Sequence, residues 1–216
     1  MARLIDDLDV DVVRENLQRV RAEVGDGCEV LVAVKYVPAV LMPALAEAGV
    51  TLVGENRAQE IAPKQAAAPG LTWDFIGQLQ SRKVRHVLPL VRLVHSVGSD
   101  SALRELAKHG TPETEVLLEV NVAGEEGKGG FAPADLPRVL EAAPVRVAGL
   151  MTMPPLTERA EDSRRWFAAL AQLAADHGLR ELSMGTSQDY AVAAQEGATI
   201  VRIGQTLFGR NPAVDV

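Results

Sequence analysis

The residues of this chain best suited to chemistry are one lysine, one arginine and a short run of small hydroxyl residues. Lys35 directly follows the apolar stretch Val30-Leu-Val-Ala-Val34. It is one of five lysines (Lys35, Lys64, Lys83, Lys108, Lys128), and the one that abuts a run of core-strand character. An amine at the rim of a folded core loses water and favours its neutral form, which condenses with carbonyl compounds. A strand-end lysine can equally snorkel into solvent, and position alone does not choose. Ser183-Met-Gly-Thr-Ser187 sets small polar residues around a glycine, directly before a helix-like run over 188–195. Free backbone N–H groups at such a helix start bind anions, and Thr186 or Ser187 could add hydroxyl donors. The same residues also make an ordinary helix cap. Arg202 lies inside the apolar run Thr199-Ile-Val-Arg-Ile-Gly204. A buried permanent charge needs a partner. Glu55 or Asp189 would give a structural ion pair, and a ligand atom is the other reading.

Other polar residues fall at similar places. Gly54-Glu-Asn-Arg57 follows a short apolar run, so Asn56 is a candidate helix cap or ligand contact, with Arg57 its first-turn neighbour. Gly204 has no side chain to keep backbone from a phosphate. His95 reads as a hydrogen-bonded core histidine more readily than as a base. The four histidines and one cysteine show no metal-ligand spacing, so no metal is expected. Neither a Gly-x-Gly-x-x-Gly nor a Gly-x-x-x-x-Gly-Lys-Ser/Thr motif is present, and no Ser/His/Asp set can be assigned.

These residues must be positioned by the elements that precede them. Ile5, Leu8, Val12, Leu17, Val20 and Val24 recur at helical spacing, so the periodicity predicts an amphipathic opening helix stopped by Gly25 and Gly27. Short apolar runs follow at 30–34, 52–53, 73–76, 91–94, 115–122, 145–150, 182–183 and 199–203. Helix-like stretches lie between them, among them 39–48, 99–109, 133–142 and 158–177. The alternation predicts an α/β fold, a single (β/α)8 TIM-like barrel over residues 1–216 with an extra N-terminal helix. An open doubly wound sheet is the alternative. In a barrel all the strand ends share one face, and the loops after strands seven and eight are the usual phosphate site. Residues 124–130 read as the most mobile loop, and Pro154-Pro155 as a rigid break.

Composition sets the class. Of 216 residues, 47% are hydrophobic and 24% charged, values of an ordinary globular chain. A net charge of −7 argues against nucleic acid or an anionic membrane as partner. The single cysteine suits a reducing compartment. The N-terminus lacks the apolar stretch of a signal peptide, so a cytoplasmic location is expected.

Seven segments, in order and spanning nearly the whole chain, are similar to a known family. They are Ala33-Val-Lys-Tyr-Val-Pro38, Gly54-Glu-Asn-Arg-Ala-Gln-Glu60, Trp73-Asp-Phe-Ile-Gly-Gln-Leu-Gln80 with Lys83, His95-Ser-Val97, Gly149-Leu-Met-Thr-Met153, Leu182-Ser-Met-Gly-Thr-Ser187, and Val201-Arg-Ile-Gly204 with Phe208-Gly209. Together they closely resemble the pyridoxal-phosphate homeostasis protein family, which is related to the barrel domain of alanine racemase. The resemblance implies pyridoxal 5′-phosphate (PLP) as cofactor and Lys35 as its Schiff-base lysine. It places Asn56 beside the ring and Arg202 against the pyridine nitrogen. Ser187 and the backbone of Met184, Gly185 and Thr186, with Gly204 and Gln205, would bind the phosphate. Lys128 matches a second lysine discussed as a mobile cofactor contact. Three positions depart from the family pattern. Thr186 stands where methionine is usual, Tyr36 where a small hydroxyl residue is common, and Asp74 where histidine is frequent.

The resemblance implies a PLP carrier that stores, buffers or delivers the cofactor, without efficient catalysis and with no catalytic residue. An arginine cannot protonate the ring nitrogen, as an electron sink requires. Alanine racemase also uses an arginine there, but adds a β-domain and a tyrosine from its dimer partner; this chain, ending at Val216, is expected to have neither. The alternative is a weak PLP-dependent amino-acid racemase or lyase, and a distant third is a barrel enzyme acting on phosphate esters without PLP. The expected partners are PLP and, transiently, PLP-dependent apo-enzymes, with the chain a monomer.

Overall fold

A computed structural model of the chain describes residues 4–209. The opening helix α1 runs over Val10–Val24, starting later than the apolar periodicity. Asp9 caps it by accepting from the N–H groups of Asp11 and Val12, and Gly25 ends it with φ at 79°, a conformation that favours glycine. Ile5 instead precedes the helix, its N–H on the carbonyl of Tyr36. Val13, Leu17 and Val20 form the buried face, and Asn16 Nδ2 donates to the carbonyls of Leu207 and Gly209, tying the two ends of the described chain together.

Eight strands then alternate with helices: β1 (Glu29–Ala33), α2 (Met42–Glu47), β2 (Leu52–Glu55), α3 (Ala58–Ala67), β3 (Thr72–Phe75), α4 (Val84–Val87), β4 (Leu93–Val97), α5 (Asp100–His109), β5 (Glu115–Glu119), α6 (Leu136–Ala142), β6 (Arg146–Met151), α7 (Arg164–Asp176), β7 (Glu181–Thr186), α8 (Tyr190–Gln195), β8 (Ile200–Ile203) and α9 (Gln205–Phe208). All neighbouring strands pair in parallel, and β8 returns to β1, closing the barrel. The doubly wound alternative is thereby excluded.

The alternation of side chains along each strand builds two cores. Val30, Val32 and Val34 face outward into the large cluster between strands and helices, where Phe167, Leu170 and Leu106 close the outer layer. Leu31, Leu52, Leu93, Leu117, Met151 and Ile200 form a separate cluster inside the barrel. Each such burial contributes about 1.5–3 kcal/mol before the entropy of ordering is charged against it. The barrel interior also takes in Asp74, His95, Ser183 and Arg202, all buried.

Candidate cofactor-binding site

Every strand contributes a residue at or just past its C-terminal end to one cavity of about 500 Å³. These are Ala33 (β1), Asn56 (after β2), Ile76 (after β3), Ser96 (β4), Glu119 (β5), Met151 (β6), Thr186 (β7) and Arg202 (β8). Gln78, Met153 and Lys128 with its flanking glycines complete the wall. The mouth is where a barrel of this kind gathers chemistry. A concavity of similar size at the opposite end is lined by ion-paired surface charges, among them Arg146 on Glu115 and Arg92 on Glu29.

A buried charged pair shapes the β1–β2 side of the mouth. Glu55 and Lys64 are both almost wholly buried and bonded to each other. Lys64 Nζ also donates to the carbonyl of Val34 at 2.7 Å. Glu55 Oε1 accepts from the N–H groups of Asn56 and Arg57, at 2.7 and 2.9 Å. Arg57 in turn donates to the carbonyl of Lys35 at 2.6 Å. One ion pair thus fixes the backbone on either side of Lys35 and at Asn56. Gly77 presses on the same place: a Cβ there would lie 2.1 Å from the Asn56 carbonyl oxygen, so only glycine fits. Asn56 is not a helix cap, since α3 begins at Ala58 with Arg57 at the cap position and no side-chain cap bond.

Lys35 continues the alternation that turns Leu31 and Ala33 inward, but it lies in a turn beyond β1 and outside the residues lining the cavity. Its Nζ stands 5.1 Å from the centroid of the Tyr36 ring. Met184 is packed in the outer core. Gly185 carries φ of 88°, and a Cβ there would meet Ala193 Cβ at 2.5 Å, so the end of β7 requires glycine where it packs on α8. Helix α8 starts at Tyr190, later than the pattern suggested. Asp189 Oδ1 accepts from both the N–H and the hydroxyl of Thr186, at 2.7 and 3.1 Å. Ser187 Oγ accepts from the N–H groups of Gly204 and Thr206, at 3.1 and 3.4 Å. The loops after β7 and β8 are therefore joined through Ser187, and the N–H groups of Thr186, Gly204 and Thr206 point at oxygen acceptors supplied by side chains. A Cβ on Gly204 would make only ordinary contact, with Ala33 at 3.8 Å. Gln205 is exposed at the start of α9.

Arg202 differs from the ion pair considered for it. Glu55 is taken by Lys64, and Asp189 makes no direct bond to the guanidinium. The partners of Arg202 are neutral: Ser183 Oγ at 2.6 Å, the Thr152 carbonyl at 2.9 Å, and the Met153 sulfur. Burial pulls its pKa down to about 10, offset in part by the charges of Asp189 and Glu119. It stays protonated at neutral pH. His95 is a fully buried, doubly bonded histidine, held below its ordinary pKa chiefly by burial and against the pull of Asp74.

Two contributors escaped the sequence reading. Glu119 was absorbed into an apolar run, yet its carboxyl lines the cavity. Burial pushes its pKa up, opposed by Arg202 and Lys128. Lys64 sits in Ala-Gln-Glu-Ile-Ala-Pro-Lys, which reads as a solvated helix; an unpaired Glu55 on a neighbouring core strand was the available signal.

The profile of the alanine racemase N-terminal domain family matches residues 8–212. This chain belongs to that family. Within it, the chain is 41% identical to the pyridoxal phosphate homeostasis protein of Aquifex aeolicus, over 91% of this chain and 94% of that one. It is 38% identical to the protein of that name from Pseudomonas aeruginosa, over 93% and 96%. Among solved structures, PipY of Synechococcus elongatus with PLP bound superposes with a TM-score of 0.80 at 31% identity, covering 91% of this chain and 100% of that one. The alanine racemase of Corynebacterium glutamicum shares the barrel alone, with a TM-score of 0.75 at 16% identity over 63% of its length.

Proposed function

We propose that this chain binds pyridoxal 5′-phosphate reversibly and serves its homeostasis, storing, buffering or delivering the cofactor without efficient catalysis. The observation that carries this reading is nearly end-to-end similarity to pyridoxal phosphate homeostasis proteins, at 41% and 38% identity in two of them. The residues present fit the cofactor. The cavity lies in the volume range of small-molecule sites. The N–H groups of Ser187 and Gln188, in the turn after β7, engage no protein acceptor among the described residues. Gly204, whose N–H lies 3.1 Å from Ser187 Oγ, adjoins them.

In this reading PLP supplies a reactive aldehyde and a phosphate handle. Lys35 is the amine that holds the aldehyde carbon, so its side chain must leave Tyr36 and turn inward. Asn56, fixed by Glu55 and Gly77, contacts the ring. Ser187, Gly204, Gln205 and the backbone of Met184, Gly185 and Thr186 hold the phosphate. Arg202 faces the ring nitrogen with hydrogens only, and so keeps a proton off it.

Tyr190 supports a carrier over an enzyme. Tyr190 donates to Glu23 at 2.5 Å, and its pKa is pushed up to about 12 by burial and by that acceptor. It lies outside the cavity lining. Tyr36 adjoins Lys35. A weak racemase or lyase is the second reading, favoured by Glu119, a carboxyl in the cavity with a raised pKa. We place the carrier in the cytoplasm as a monomer, with PLP-dependent apo-enzymes as transient recipients. No helix among the described residues is long and apolar enough to cross a membrane. Loading the protein with PLP and incubating it with amino acids in D2O separates the readings. The carrier releases PLP to an apo-enzyme and leaves the α-hydrogens unexchanged. Lys35-dependent α-exchange at turnover rates would establish the enzyme instead.

A further inference from the structure

A line of hydrogen bonds crosses the barrel interior, from the cavity to the opposite end. Arg202 Nη1 donates to Ser183 Oγ at 2.6 Å. Ser183 Oγ lies 2.8 Å from His95 Nδ1, and His95 Nε2 lies 3.1 Å from Asp74 Oδ2. Asp74 is gripped through both oxygens by Arg92, at 3.0 and 2.7 Å. Arg92 then reaches Glu29 at the far rim, at 3.0 Å.

The inventory of donors constrains the hydrogens along this line. Arginine has only donors, so both Asp74 oxygens accept. His95 Nε2 must therefore carry a hydrogen to bond Asp74. Burial lowers the pKa of the ring and so favours its neutral form, in which Nδ1 accepts from the Ser183 hydroxyl. With its hydrogen committed to His95, Ser183 Oγ presents lone pairs, which is what Arg202 Nη1 needs. This arrangement gives every group on the line a partner of the right polarity. Arg92 at one end thus sets, through one carboxylate and one imidazole, which way a serine hydroxyl points beneath the guanidinium at the other end.

Resting on the proposed PLP site, we infer that His95 is a positioning residue of that site: with Asp74 and Ser183 it aims the Arg202 guanidinium at the cofactor ring. Arg202 has no carboxylate partner to hold it. Its orientation depends on three neutral contacts, and Ser183 is the one whose polarity could reverse. A merely space-filling ring at position 95 would need no polar partner on either side, whereas both ring nitrogens are engaged here.

The test compares His95→Phe with His95→Gln. Phenylalanine keeps the ring volume and loses both nitrogens. Glutamine keeps one acceptor and one donor at a spacing near that of the ring nitrogens. PLP affinity and the visible band of the bound cofactor are read by titration, with circular dichroism and thermal unfolding as controls for folding. Positioning predicts that His95→Phe weakens PLP binding about tenfold or more and shifts the band, and that His95→Gln recovers most of both. Space filling predicts the reverse order, and that result overturns the inference. Ser183→Ala, a smaller change, must reproduce the Phe effect and serves if His95→Phe does not fold; unchanged binding and band in a folded Ser183→Ala protein also overturn it. Wild type distinguishes the two claims: if it forms no adduct with PLP, the proposed function fails, whereas normal wild-type binding with indifferent variants sinks only the role of His95.

Discussion

Glu55 and Lys64 form a charged pair inside the protein, whereas Arg202 is buried against neutral partners only. The two systems flank the same cavity but grip different things. The pair holds backbone: the carbonyl of Val34 and the N–H groups of Asn56 and Arg57. Its charges cancel locally, so it shapes the loops that carry Lys35 and Asn56 without projecting a field into the site. The Arg202 line holds a side chain and leaves that side chain's charge without a direct counter-ion. Burial depresses the arginine for that reason. A barrel mouth thus separates two tasks, fixing loop geometry with a closed ion pair and presenting charge to a ligand with an open one.

The sharpest way to break this contrast is at the closed pair. Lys64→Met leaves the Glu55 carboxylate buried with its two backbone N–H bonds and no counter-charge. A cost of about 3–5 kcal/mol is expected in urea unfolding, typical of a buried pair that loses one partner. Adding Glu55→Gln to Lys64→Met should recover part of that loss. A single-variant cost below about 1 kcal/mol would mean that the pair does not hold the β1–β2 loops.

Next in size is the end of β7, which leads into the turn that serves the open side. Gly185→Ala forces a side chain into positive φ and against Ala193. The expected destabilisation is about 1–3 kcal/mol, read by thermal or urea unfolding. PLP affinity should fall with it, because the turn carries the proposed phosphate donors. Stability lost with affinity unchanged would move the phosphate away from this loop.

The smallest effect has the opposite sign. Glu119 has a raised pKa in the folded protein, chiefly from burial. Its protonated form is therefore favoured on folding. That contribution is full below the ordinary carboxylate range and is lost as pH rises through the raised value. Glu119→Gln stays neutral throughout, so its melting temperature should exceed wild type near about pH 8 and match it near about pH 4. A lower melting temperature at the alkaline end would show that Arg202 and Lys128 outweigh burial there.

Legibility in the sequence followed the chemistry of the strands. Apolar runs marked the eight strands well, because parallel barrel strands are buried on both faces. The apolar run at 91–94 stopped short of the end of β4 at Val97, because the polar His95 and Ser96 interrupt the apolar pattern. Likewise β7 extends to Thr186, past the polar Ser183. The run at 115–122 was too long: β5 ends at Glu119, and Val120 makes only an isolated bridge with Phe131. Of the proposed site residues, Asn56, Thr186 and Arg202 share the cavity wall, while Lys35, Met184, Gly185, Ser187, Gly204 and Gln205 stand in or beside the adjoining loops. The pairing Asp74–His95 had no local signal, and Glu55–Lys64 had only a carboxylate at the end of a core strand. They join residues 21 and 9 positions apart on different elements, brought together by the pairing of β3 with β4 and the packing of α3 behind β2.

The decisive measurement is PLP titration followed by visible absorbance, borohydride reduction and peptide mapping, on wild type and Lys35→Ala. A coloured adduct whose reduced label maps to Lys35, and a colourless Lys35→Ala protein, is the expected result. No adduct in wild type, or an equal one without Lys35, would contradict PLP anchoring here and leave the cavity to some other phosphorylated ligand.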